Sequence, residues 1–373
     1  MPTAFKKYVL PGMVFQSVVI AGGYGTGREI VEFFLTLGPV SGLAAMVLVS
    51  TVIWSLVCAV TFELARLWKA YEYRAFFKGL LGRAWPAFEV CYLLLMLIVL
   101  AVVGAAAGSI LQETFGLPYA VGVVGIMAAV GALVFFGTDL IERFLAGWSF
   151  VLYAAYLTLV VWAVVRFGGE IGSAFAGSRL EGPWVMGGIR YAAYNLAVIP
   201  AVLFSVRHIE TRREAVGAGL LAGVIAIVPA FLFYVAMVGL YPAVVDQTVP
   251  ANFVLEALGS RTFQLTFQLV LFGTLVETGT GFIHAVNERV DAVLEEQGRH
   301  LPRALRPAIA TGFLLGAALL ARLGLVDLIA RGYGTLTWAF LLVYVIPALT
   351  WGIWLVWRAG PDNAAAASSA APR

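Results

Sequence analysis

Gly22-Gly23-Tyr24-Gly25-Thr26-Gly27-Arg28-Glu29 stands in the middle of an apolar stretch that runs from Tyr8 to Leu37. Glycine at this density does not suit a continuous helix, because each one costs about 1 kcal/mol relative to alanine in a helix interior. In hydrocarbon an unwound backbone is tolerated only where it is buried in protein or lines a cavity, since every unsatisfied amide or carbonyl is costly there. The stretch therefore predicts a first membrane helix that is broken near the bilayer midplane, and such a break points to a binding site.

Working outward, 61% of the chain is hydrophobic and only 12% is charged, whereas soluble domains carry about 25% charged residues. The composition predicts an all-α integral membrane protein. Apolar stretches long enough to cross a core of about 30 Å at about 1.5 Å per residue run over Tyr8–Leu37, Val40–Leu64, Phe88–Gln112, Tyr119–Gly137, Leu145–Val165, Gly188–Ser205, Val216–Tyr241, Phe263–Ala285, Ala308–Leu323 and Thr335–Trp357. These ten expected spans place 1–7 before the membrane, 8–358 within the transmembrane domain and 359–373 in a disordered tail rich in Ala and Ser. Lys6, Lys7, Arg66, Lys69, Arg74, Lys78, Arg83, Arg143, Arg207, Arg212, Arg213, Arg289 and Arg299 fall on the side where the chain begins. Cytoplasmic loops carry the Lys and Arg excess, so both termini are expected in the cytoplasm and the protein in the bacterial inner membrane. Lys6-Lys7 before an apolar run also has the look of a secretory signal, but the apolar pattern resumes at once as Ile30-Val31-Glu32-Phe33-Phe34. Cys58 and Cys91 both lie in apolar stretches and read as small packed residues, and the net charge of +3 gives no ground for a nucleic-acid partner.

The sixth span repeats the logic of the first. Tyr191-Ala192-Ala193-Tyr194-Asn195-Leu196-Ala197-Val198-Ile199-Pro200 puts a proline in the middle of a helix, where it removes a donor and clashes with the carbonyl four residues earlier. Pro11, Pro229 and Pro347 read as simple kinks. An interruption in the first helix of each half fits a 5+5 inverted repeat, with repeat 1 over about 8–166 and repeat 2 over about 188–358. Gly104-xxx-Gly108, Gly219-xxx-Gly223 and Gly312-xxx-Gly316 read as close helix packing.

The glycine run with Glu32-Phe33-Phe34, the Tyr194-Asn195 pair before Pro200, and the run from Glu277-Thr278-Gly279-Thr280-Gly281 to Asn287-Glu288-Arg289 resemble the YkvI family of bacterial membrane proteins. That family is similar to the amino acid, polyamine and organocation transporter superfamily with the leucine-transporter fold. The resemblance implies secondary transport by alternating access around a midplane site. It also implies, from sodium-coupled relatives, a cation held by the carbonyls of Ala21 and Tyr24 and by oxygens of Thr274, Glu277 and Thr278.

The residues themselves bear on a solute site. Gly22, Gly23, Tyr24, Gly25, Thr26 and Gly27 would bring free amides to the midplane, where the positive end of a half-helix favours a carboxylate. Tyr194 and Asn195 would end the opposing half-helix, whose carbonyls accept from an ammonium. Together they would receive a zwitterion, so an amino acid or similar amine-bearing solute is the expected small-molecule substrate. Arg28 would either grip the carboxylate or pair with Glu32 one turn on. Thr274, Glu277 and Thr278 share a helix face. An ionisable residue inside a span is functional by default, so Glu277 would bind Na+, carry a proton, or neutralise Arg28. His284, Glu288 and Asp291 continue that face as an exit path or as a solvated helix end. No cofactor beyond a Na+ coupling ion is expected, and His-Glu-x-x-His, Gly-x-Ser-x-Gly and phosphate-loop patterns are absent, which argues against an enzyme. A metal-ion carrier and a non-transporting sensor or channel are the other readings.

Overall fold

A computed structural model describes residues 3–20, 22–136, 138–295 and 305–359. Ala21, Gly137 and the tail beyond Ala359 lie outside the described residues, as do the side chains of His284, Glu288 and Asp291. The described residues are helical and contain no strand. Helices long and apolar enough to cross a membrane cover Pro39–Trp68, Tyr73–Phe115, Val151–Ala176, Arg212–Val238, Arg261–Ile283 and Leu325–Arg358, with shorter apolar helices at Tyr119–Val134 and Pro307–Ala321. The first and sixth expected spans are missing from this set because neither is continuous.

The first is broken into α1 (Leu10–Val19), a single turn α2 (Gly22–Gly25) and α3 (Arg28–Phe33). Gly27 joins the last two with φ +80°, a left-handed conformation that a residue with a Cβ adopts only at a cost. The second, α4 (Pro39–Trp68), leads to α5 (Tyr73–Leu81), a short helix that the apolar pattern did not reveal and that Glu72 caps by accepting from the amides of Arg74 and Ala75. Then come α6 (Trp85–Phe115), α7 (Tyr119–Phe136) and α8 (Thr138–Ala176), the last departing from helical geometry at Phe167. The second interrupted segment is α9 (Trp184–Asn195), followed by tighter 3-10 turns over Leu196–Ala201 and Leu203–His208. The α-helix stops short of Pro200, whose missing N–H it does not have to accommodate.

After α10 (Arg212–Val238), the connection that the sequence left without an assigned role forms α11 (Pro250–Ala257). The chain closes with α12 (Arg261–Glu295), α13 (Leu305–Ala321) and α14 (Leu325–Arg358).

The helices fall into two packed sets. In one, α4 and α1 lie along α10, and α9 lies along α4; in the other, α6, α7, α12 and α13 pack on one another, while α8 reaches α10 on one side and α12 on the other. Between apolar helices in lipid there is no hydrophobic drive to associate, so small residues and interhelical hydrogen bonds hold them together. Gly219 and Gly223 bring α10 directly onto the backbone of Ser55, Cys58 and Ala59 in α4, and Ser55 Oγ donates to the Leu220 carbonyl at 2.8 Å. Gly104 meets Met127 and Gly108 meets Tyr119, as close packing requires, whereas Gly312 faces open space. At the end where the chain begins, Lys7 bridges Glu210 at 2.8 Å and Glu214 at 2.9 Å, tying the start of the first segment to the foot of α10. Those hydrogen bonds raise the Lys7 pKa above its usual 10.5.

Candidate site at the two helix breaks

A cavity of about 300 Å³ lies between the two helix sets. Ser17, Val18 and Ile20 of α1 and Ala201 after the second break form one wall, and Tyr92 of α6 with Thr274, Glu277, Thr278, Gly281 and Phe282 of α12 form the other. Leu152 and Tyr153 of α8 complete it. Each of these residues sits near the middle of its segment or in the half closer to the side on which the chain begins. Thr274 bonds back to the Val270 carbonyl at 3.1 Å, which leaves its oxygen lone pairs available to a ligand. The Glu277 carboxylate has no hydrogen-bond or ion-pair partner among the described residues, and Tyr153 donates at 3.0 Å to Gln16 just behind the α1 wall. The three α12 residues picked out by their spacing therefore do share one cavity face with the end of α1.

The opposite side is closed. Tyr24, Phe233 and Phe267 are fully buried or nearly so, and their rings surround Tyr156 with centroids 6.5, 5.4 and 5.2 Å from its own. Tyr156 donates at 2.9 Å to the Gly25 carbonyl, satisfying an acceptor that the break had freed. The Thr26 carbonyl accepts from Ala251 of α11 at 2.9 Å, so the broken helix is stitched to the cap above it. Arg28 reaches the same cap: it donates to the carbonyls of Val245 at 2.9 Å and Gln247 at 3.0 Å, and pairs with Glu32 at 3.0 Å. Of the two roles open to Arg28, this conformation contains the helical pair, and its guanidinium points away from the cavity. Asn252 then anchors α11, donating to Glu113 at 3.3 Å and Glu256 at 3.2 Å while accepting from Gln264 at 2.7 Å and Gln268 at 2.9 Å.

Between the cavity and the cap, the two breaks touch through a pair of side chains. Tyr194 of α9 donates its hydroxyl to the Glu29 carboxylate of α3, and both residues are almost wholly buried. Gly23 lies against that carboxylate so closely that a Cβ would collide with it. Tyr194 is stacked between Phe33 and Tyr333, with centroids 5.3 and 4.7 Å away. Thr26 donates to the Gly23 carbonyl at 2.8 Å, the Tyr24 carbonyl accepts from Gly27 at 2.9 Å, and Asn195 donates back to Tyr191 at 3.1 Å. These groups shape the break. Ala21, whose carbonyl was an expected ion ligand, lies outside the described residues, and Gly22 begins the single turn of α2.

Glu29 was absent from the site read from sequence, although an ionisable residue inside a span is itself a functional signal. Attention to the amides of the glycine run hid it. Tyr153, Tyr156, Tyr191 and Tyr333 were missed for another reason, because an aromatic in an apolar helix carries no local sign of what it faces. Among the described residues no three His, Cys, Asp or Glu side chains gather as a metal site would require.

The chain is 24% identical over 303 residues to the uncharacterized membrane protein YkvI of Bacillus subtilis (strain 168), a match that covers 78% of this chain and 83% of that protein. No protein-family model matches it. Its fold is similar to that of Mhp1 in an inward-facing conformation, at a TM-score of 0.56, 14% identity and coverage of 91% of this chain and 73% of the other. It is also similar to a Na+-coupled sialic acid symporter in its substrate-bound outward-open state, at a TM-score of 0.52, 13% identity and coverage of 99% and 93%. The protein is thus a membrane protein that shares the leucine-transporter type of fold with these two.

Proposed function

We propose that the protein is a secondary active transporter with ten spans in two inverted sets of five, both termini in the cytoplasm of a bacterial inner membrane. Its cargo is a small amine-bearing solute, the class to which amino acids belong, and it moves with Na+ or H+. The observation that carries this reading is the asymmetry at the breaks: a cavity walled by both interrupted segments on the side where the chain begins, and a sealed cap on the other. That is the arrangement of one state in an alternating-access cycle, in which one helix set rocks against the other around a fixed site. Glu277 with the hydroxyls of Thr274 and Thr278 supplies hard oxygen donors suited to a small cation, so coupling is assigned there. Neither a sensor nor a channel is favoured by a particular feature of the site.

The test is solute uptake into proteoliposomes holding the purified chain, with a Na+ or a proton gradient imposed in turn. Saturable accumulation that collapses with one gradient is expected, and Glu277→Gln should uncouple it. Flux that does not saturate, or a Glu277→Gln protein still driven fully by the same gradient, would overturn the transporter or the coupling assignment respectively.

A further inference from the structure

We infer that Glu29 is the binding carboxylate for the cargo's ammonium group, and that the cargo is an organic cation without a carboxylate of its own. The inference rests on the transporter reading above and narrows its substrate. A zwitterion needs donors for its carboxylate, and at this break they are already engaged. The chain's own Glu29 carboxylate takes the Tyr194 hydroxyl and lies against Gly23, where a solute carboxylate would have approached the backbone. Arg28, the guanidinium next to it, is held in the cap by Glu32, Val245 and Gln247. The lining of the cavity that leads here contains one carboxylate, Glu277, and no Lys, Arg or His among the described residues. Cavity and break together are acidic, so they attract a positive group and oppose a negative one.

What surrounds Glu29 suits an ammonium. Tyr24, Tyr191, Tyr194 and Tyr333 are buried around it, and Phe33 closes the stack on Tyr194. The faces of such rings attract a desolvated cation. The hydroxyls of Tyr24 and Tyr191 are fully buried and have no hydrogen-bond partner, on residues close enough to Glu29 to interact with its charge. An orphaned buried hydroxyl is uncommon and calls for an explanation; an ammonium, with three donors, would meet both hydroxyls and the carboxylate together. In the present conformation the site is shut from the cavity, and rocking of the helix sets is what would open it.

The experiment compares solutes that differ only by the carboxylate: phenethylamine against phenylalanine, tyramine against tyrosine, histamine against histidine and putrescine against ornithine. Binding to the purified full chain is followed by calorimetry and by thermal stabilisation. At least one amine is expected to bind ten-fold or more tightly than its amino acid, with Glu29→Gln weakening it ten-fold or more. Glu29→Asp, which keeps the charge, should retain part of the affinity and guards against a variant that fails to fold. Amino acids that bind as well as their amines overturn the inference. So does an amine affinity that survives in Glu29→Gln, one lost only in Glu277→Gln, or a Glu29 effect confined to pH with no amine binding. The transporter reading is judged separately by sided labelling of Thr278→Cys, which needs no ligand, so the two fail independently.

Discussion

Removing the Tyr194 hydroxyl with Tyr194→Phe leaves the buried Glu29 carboxylate short of a donor. An unmet buried polar group costs about 1–3 kcal/mol, so the midpoint of thermal unfolding in detergent should fall. Because the two residues share one interaction, the loss in the Tyr194→Phe, Glu29→Gln double variant should be smaller than the sum of the single losses. Arg28→Met removes its hydrogen bonds to Val245 and Gln247 and its pairing with Glu32. Amide hydrogen exchange over 243–257 should quicken in that variant while α4 and α10 exchange as before. Unchanged exchange in the cap would show that Arg28 does not hold it. Adjacent side chains on a helix point about 100° apart, and nothing local told which of Arg28 and Glu29 would face the site. The partners that orient Arg28 are 217 and 219 residues further along the chain.

The interruptions of the first and sixth segments were legible because glycine and proline act on the backbone where they stand. The helices α5 and α11 were not legible from apolar length, being too short to stand out. Their own signals were finer: Glu72 at the N-cap of one and Pro250 in the first turn of the other. The glycine pairs show the same limit, since Gly219-xxx-Gly223 and Gly312-xxx-Gly316 look alike in sequence, yet only the first is a tight seam throughout. Gly219→Val should push α10 off α4 and lower stability markedly, whereas Gly312→Ala should be neutral or raise stability by up to about 1 kcal/mol through helix propensity. Thermal denaturation of the two variants side by side checks this. If Gly219→Val melts like the parent, the seam does not set the helix spacing.

For the molecule as a whole, two helix sets meet across a cavity that is reached from one side only. A cysteine placed at Thr278 should react with a membrane-impermeant maleimide added on the side where the chain begins, and not on the other. Cys58 is buried and Cys91 half-buried, so a background lacking both is the proper starting protein. Reaction from the far side alone would reverse the sidedness. Composition, the spacing of apolar stretches and the two clusters of helix-breaking residues were enough to establish a helical membrane protein with two discontinuous segments. Those properties arise from solvation and backbone geometry acting within a few residues. Which groups meet at the breaks was decided by packing between segments far apart in the chain: Tyr194 on Glu29, Tyr156 on the Gly25 carbonyl, Arg28 on the cap. Burial without water makes each of those polar pairings obligatory, and only the assembled helices determine which partners are within reach.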